Sequence, residues 1–356
     1  MKTSKYKNSS RNFITYAMVV VVFLLCELAL SGAIDGFKMS RSLKGQLVPI
    51  CVYIVMAVSL NLTVGISGEL SLGHAGFMSV GAFSGILFSQ FLLYAFPDVN
   101  LEIVRLAGAL VFGGLIAGIS GVLIGIPVLR LRGDYLAIVT LAFGEIIRNL
   151  INCIYFSIEG TALNFAFLNP NLPGKLIING PMGATGIKKL ATFEVGFLLV
   201  MITLIVVLNL INSRSGRAIM AIRDNRIAAE SVGINVTKYR MLAFVVSAAL
   251  AGMAGALYGL NFSQIQSVKF KFDTSILVLV FVVLGGIGNI RGSIIAATVL
   301  TVLPEMLREF GNYRMLIYAI VLILVMLVSN NPMLKSFTSD VIGRFKKNTE
   351  EEGEKA

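Results

Sequence analysis

Apolar residues run along this chain in blocks, and the blocks recur from one end to the other. Ten stand out: residues 13–33, 46–66, 69–94, 104–126, 134–158, 194–212, 241–262, 273–289, 292–308 and 314–330. An apolar run of about 17–25 residues can cross a bilayer as a helix, because the hydrocarbon core is about 30 Å thick and each residue advances about 1.5 Å. The blocks lack the one-in-two alternation of outer-membrane strands, which argues against a β-barrel. The pattern predicts an all-α, polytopic transmembrane helical bundle of about ten spans. Residues 1–12 read as one tail, 13–330 as the transmembrane domain and 331–356 as a second tail. From about Asn348 (NTEEEGEKA) the chain is charged and poor in apolar residues, so its end is expected to be disordered.

Polar positions between the blocks set the orientation. Cationic side chains collect in short cytoplasmic loops of membrane proteins. Lys2, Lys5, Lys7 and Arg11 precede the first block, Arg130 and Arg132 lie between the fourth and fifth, and residues 213–240 are the richest of all. Ten crossings put all three on one side, with both termini cytoplasmic. Two places strain the scheme. The loop from Asp35 to Lys44 carries Lys38, Arg41 and Lys44 yet falls outside, and the pair 273–289 and 292–308 is short and split by glycines. That pair reads either as two brief spans or as a re-entrant hairpin. The first block could imitate a signal peptide, but it is longer than a usual signal core and Ser31-Gly32-Ala33 is a weak cleavage site. A first anchoring span is the preferred reading.

Composition agrees. Mean hydropathy is +0.84. Charged residues make up 14%, against about 25% in soluble domains. The net charge of +11 follows from basic cytoplasmic loops and calls for no nucleic-acid partner. Cys26, Cys51 and Cys153 sit inside apolar runs at no metal-ligand spacing and read as buried apolar residues. Residues 159–193 form the longest outer stretch. Pro170, Pro173, Pro181 and several Gly make a long helix improbable there. This is a structured loop, either a docking surface for an external partner or a passive connector.

Three clusters of chemistry interrupt the apolar pattern. The first is SRSGRAIMAIRDNRIAAESVGINVTKY, Ser213 to Tyr239, with five Lys and Arg and Arg240 just beyond. Asp224 is placed to cap a helix over Asn225 to Val232, and Gly233 falls where a left-handed C-terminal cap belongs, covered by Ile234. The small Ala228 and Ala229 would let such a helix seat in a partner's cleft; the alternative is a basic loop held by lipid phosphates. The second is Gly65 to Ala82, with five glycines and three serines, where close helix packing and a broken helix are expected. Glu69 and the lone His74 lie there. Solvation suits Glu69 and a packing role suits His74, with substrate contact as the sharper alternative. The third is Leu131 to Asn149, where Asp134 is placed to cap the span and Glu145 and Arg148 share a helix face as an ion pair, or else line a pathway. No GxxxxGK[ST] loop, HExxH motif, Cys/His cluster or nucleophile–base set occurs, and buried carboxylates for proton or sodium relay are missing. These absences disfavour an enzyme and an ion-coupled carrier.

Taken together, SGELSLGHAGFMSVGA, RLRGDYLAIVTLAFGEIIRNL, GRAIMAIRDNRIAAESVGINVTKYRMLAF and GGIGNIRGSIIAA resemble the permease of ABC importers for branched-chain amino acids, M-type of the Liv system. The resemblance runs from about Leu60 to Pro304. It departs after Ser329, where NNPMLKSF replaces an arginine–proline ending. It implies a multi-pass protein of a prokaryotic cell membrane with a second homologous permease, two cytoplasmic ATPase subunits and an external substrate-binding protein as partners. The chain itself would bind no cofactor, its partners hydrolysing the ATP. Arg223, Asp224, Asn225, Ala228, Ala229, Glu230 and Gly233 are then the coupling residues toward the ATPase, and Ser71, His74, Ser79 and Glu145 are candidates for the translocation path. A related permease for urea, a sugar or a nucleoside, a stand-alone carrier or channel, and a structural scaffold are the other readings.

Overall fold

The computed structural model describes residues 2–31, 41–95, 102–131, 133–159, 162–169 and 172–330. The tail beyond residue 330 and the loop residues 35–40 lie outside them. The fold is mostly helical. In chain order it runs α1 (Lys2–Ser31), α2 (Arg41–Asn61), a π-helical turn (Leu62–Ser67), α3 (His74–Ala95), α4 (Glu102–Val128) and α5 (Asp134–Asn152). Four short strands follow: β1 (Ile154–Glu159), β2 (Ala162–Phe167), β3 (Lys175–Asn179) and β4 (Ala184–Thr185). Then come α6 (Phe193–Asn212), α7 (Arg214–Asp224), α8 (Arg226–Ser231), α9 (Val236–Gly259), β5 (Gln264–Ile265), α10 (Phe272–Gly285), α11 (Ile290–Met306) and α12 (Arg314–Asn330).

Among the described residues six helices are long and apolar enough to cross a membrane: Ser42–Ser67, His74–Ala95, Glu102–Val128, Phe193–Asn212, Val236–Gly259 and Ile290–Gly311. Their packing follows from small side chains. In lipid, helices gain little by hiding apolar surface from one another and associate where backbones approach closely. At the crossing of α3, α4 and α9, a Cβ on Gly252 would strike Ala117 Cβ and lie 2.7 Å from the Gly113 carbonyl oxygen. Hydroxyls bond across the interfaces as well: Ser247 of α9 donates to the Ser59 carbonyl of α2 at 2.6 Å. The outward face of α4 presents Val111, Leu115, Ile119 and Leu123 at helical spacing, a stripe suited to lipid.

Several expected boundaries shift. Residues 154–158, assigned to the fifth span, are strand. Ile154-Tyr155-Phe156-Ser157-Ile158 is rich in β-formers, and β1 pairs with both β2 and β3. The helix before it, α5, carries Asp134, Glu145 and Arg148 and is absent from the six. The expected outer loop is an antiparallel sheet of order β2-β1-β3-β4-β5, without a long helix. Its last strand comes from the α9–α10 connection, Ala184 pairing with Ile265. Lys38 lies outside the described residues, while Arg41 and Lys44, read as loop, begin α2. Asp134 does not cap α5: Gly133, at φ 58°, holds that position without a side-chain cap, and Asp134 is the first helical residue. Cys51 is buried, but Cys26 and Cys153 are only half-buried, and all three are free thiols.

Contacts divide the chain into units of residues 1–301 and 302–356. In the second, the 3-10 stretch Leu307–Tyr313 turns at Gly311 (φ 53°) into α12.

Candidate functional site

Between membrane-length helices α6 and α9 the chain makes two short helices, α7 and α8, and side chains cap each start. The first N–H groups of a helix lack intrahelical partners, so a preceding Ser or Asn is favoured by about 1 kcal/mol. Ser213 accepts from Gly216 N at 3.1 Å for α7, Asn225 accepts from Ala228 N at 3.0 Å for α8 and Asn235 accepts from Lys238 N at 3.1 Å for α9. The cap of α8 is therefore Asn225 and not Asp224, which is the last residue of α7. Its far end closes as expected around Gly233 at φ 82°. Gly233 N donates to Glu230 O at 3.0 Å and Ile234 N to Ala229 O at 3.1 Å, the paired bonds of a Schellman closure.

Six residues cannot hold a helix in water unaided. Here α8 rests on neighbours: Ala229 is buried against Ile222 of α7 and Val236 of α9, with Ile234 and Tyr239 packed alongside. Ala229 thus packs inward, whereas Ala228 is exposed. Two large apolar side chains that the sequence reading passed over point to solvent: Ile227 is 80% exposed and Val232 75%. Arg226 pairs with Glu230 at 2.9 Å across one turn.

Helix α7 is fixed to the membrane helices in two ways. Ile219 packs with Leu62 and Ile66 of the π-turn and Ala243 of α9. Arg223 donates from Nη1 to the Gly65 carbonyl at 2.9 Å and from Nε and Nη2 to Asp224 Oδ1 at 3.1 and 3.0 Å. Beyond the π-turn Gly68 takes φ 75°, and residues 68–73 return to α3 without helix, the expected break.

Glu69, on that return segment, is buried and paired with Arg240 in α9. This corrects its reading as a solvated carboxylate and places Arg240 inside a helix rather than in the loop. His74 Nε2 lies 2.7 Å from Ser59 Oγ, a satisfied buried imidazole. Ser79 donates to the Gly76 carbonyl of its own helix at 2.7 Å. The Ser71 hydroxyl is buried without a hydrogen-bond partner among the described residues. Glu145 and Arg148 form the expected ion pair at 2.7 Å, and Glu145 Oε1 also accepts from Phe272 N at 3.2 Å. These path candidates are therefore spread over several helix contacts. At the other end of α9 a cavity of about 290 Å³ is lined by Tyr258, Phe262, Gln264, Gln266 and Lys269; no motif in the sequence had drawn attention to it.

Six membrane-length helices make this an integral membrane protein. The chain belongs to the family described as the permease component of branched-chain amino acid transport systems, which matches residues 43–327. It is 34% identical over 320 residues to the high-affinity branched-chain amino acid transport system permease protein LivM of Salmonella typhimurium and to that of Escherichia coli, covering 86% of this chain and 73% of each relative. It is also 26% identical over 346 residues to the ribose import permease protein RbsC of Escherichia coli, covering 90% of this chain and 97% of that one. A nucleoside ABC transporter permease protein of Lactococcus lactis, NupC, is 24% identical over 230 residues, 58% of this chain and 62% of the relative. No solved structure matches. The homology sets the chain in an ABC transporter context.

Proposed function

We propose that this chain is the permease subunit of an ABC importer for branched-chain amino acids, and that α8 is its coupling helix. The observation that carries the reading is the exposed pair Ile227 and Val232 on a doubly capped helix between two membrane-length helices. A solvated loop gains nothing from presenting them, whereas a partner's cleft would bury them. In this reading Asp224, Asn225, Ala228, Glu230 and Gly233 shape or border the contact, Ala229 seats the helix on its own subunit, and Arg223 serves coupling through its bond to Gly65 rather than by touching the partner.

Two ATPase subunits bind on this side, a homologous permease completes the pair, and a binding protein delivers solute from outside. The chain holds no ATPase site or cofactor of its own and needs lipid but no nucleic acid. All ten apolar blocks take part in the membrane domain, with both termini cytoplasmic. At 14 residues α10 is about 21 Å long, short of a full crossing, which favours a hairpin of partial depth. Nucleotide-driven displacement of α8 would rock the attached helices, since a ligand shifts an equilibrium only by binding its states differently. Ser71, His74, Ser79 and Glu145 remain the path candidates.

The test is uptake of radiolabelled leucine, isoleucine and valine by proteoliposomes holding the assembled importer. Uptake is expected to require both binding protein and ATP on the ATPase side. Uptake without either would identify a stand-alone carrier. The ribose and nucleoside permeases among the relatives favour one second reading, the same machine with another cargo, which ribose or uridine uptake would reveal.

A further inference from the structure

We propose that Arg223 is a positioning residue, transmitting displacement of the α7–α8 insert through the π-turn of α2 into the α10–α11 turn. The proposal rests on the reading of α8 as the docking helix. The terminal carbonyls of α2 have no following N–H groups in helix to receive, and they form the negative end of its dipole. Arg223 supplies a cation there, through its 2.9 Å bond to Gly65 O. The other edge of the guanidinium is held by Asp224, so the planar fork has one orientation, which a lysine could not reproduce. Its stem crosses Gly68 so closely that a Cβ there would lie 2.6 Å from Arg223 Cγ.

The residue that opens the same turn grips the α10–α11 connection. Asn61, fully buried, accepts from Gly288 N at 2.9 Å through Oδ1 and donates to Ser293 Oγ at 2.9 Å through Nδ2. A Cβ on Gly65 would collide with Asn61 Oδ1 and the Gly288 backbone, so no side chain separates the two contacts. Apolar packing such as that of Ile219 can slide; directional bonds at one turn hold register. Asn61 is an amide deep in an apolar block, a costly group to bury unless its bonds are needed.

The experiment uses the complete importer with its ATPase subunits and binding protein in proteoliposomes, reading solute imported per ATP hydrolysed. Arg223→Gln and Asn61→Ala are each expected to retain the ATPase subunits on purification and to hydrolyse ATP at near the wild-type rate. Each should import about tenfold less solute per ATP. Arg223→Lys should recover part of the loss, and the double variant should be no worse than either single, because both cut one connection. An unchanged ratio in Arg223→Gln overturns the proposal, as do losses that multiply in the double variant. If Arg223→Gln instead sheds the ATPase subunits, Arg223 belongs to the docking surface: the connection is refuted and the docking reading survives. A wild-type protein that never retains ATPase subunits defeats the docking reading, and this proposal with it. Should Arg223→Gln fail to insert, Arg223→Lys carries the same comparison.

Discussion

Glu69 lies where the chain turns back from α2 to α3, its carboxylate out of water against the Arg240 guanidinium. Apart from that ion pair, its oxygens accept no hydrogen bond among the described residues. A buried pair stabilises little overall, because desolvation offsets the attraction, yet losing one partner strands the other charge at about 3–5 kcal/mol. Glu69→Gln or Arg240→Gln alone is therefore expected to lower the unfolding midpoint in detergent by several degrees. The double substitution should recover much of that, and thermal unfolding followed by circular dichroism would show it. Additive losses would mean that the two charges act independently. The sequence marked Glu69 as unusual but not its environment, since its partner lies far along the chain. Glu145 and Arg148 were legible because helical spacing alone makes them neighbours.

At the scale of the element, α8 shows which signals are local. Gly233 announced a left-handed closure and takes one, as only a residue without Cβ does cheaply. The capping residue was misjudged by one position, because Asp224 and Asn225 both suit the role and the continuation of α7 through Asp224 decided between them. What neighbouring packing determines was not legible: Ala228 and Ala229 look alike in sequence, yet one faces solvent and the other the bundle. Replacing Ile227 and Val232 together by Ser is expected to leave the permease within about 0.5 kcal/mol of its stability, as exposed substitutions do. Recovery of ATPase subunits in co-purification should fall about tenfold, the scale of losing one or two buried anchors. Undiminished recovery would remove this helix from the contact.

For the whole molecule, apolar block length revealed a helical membrane protein, and the small residues of Gly65 to Ala82 announced close packing at the start of α3, whereas its crossing with α4 and α9 was not read from the sequence. Strand β1 was absorbed into a span because its apolar residues follow closely on those of α5, with only Asn152 just before them, so only pairing with β2 and β3 separates them. The proposed sidedness has a direct check. With Cys26, Cys51 and Cys153 replaced by Ser, a cysteine at Ser231 should react with an impermeant maleimide only after the cells are opened. One at Lys175 should react in intact cells. Reversed labelling would place the α7–α8 insert outside and end the coupling scheme.

The sheet also imposes an order of events during synthesis. Strand β4 pairs with β3 on one edge but finds its second neighbour only when Gln264 and Ile265 have left the ribosome, after the whole of α9 has been made. At roughly 5–20 residues per second, that leaves a bare edge waiting for on the order of ten seconds. Yet β4 offers only Ala184 and Thr185, too short a template to recruit a stray chain in the meantime.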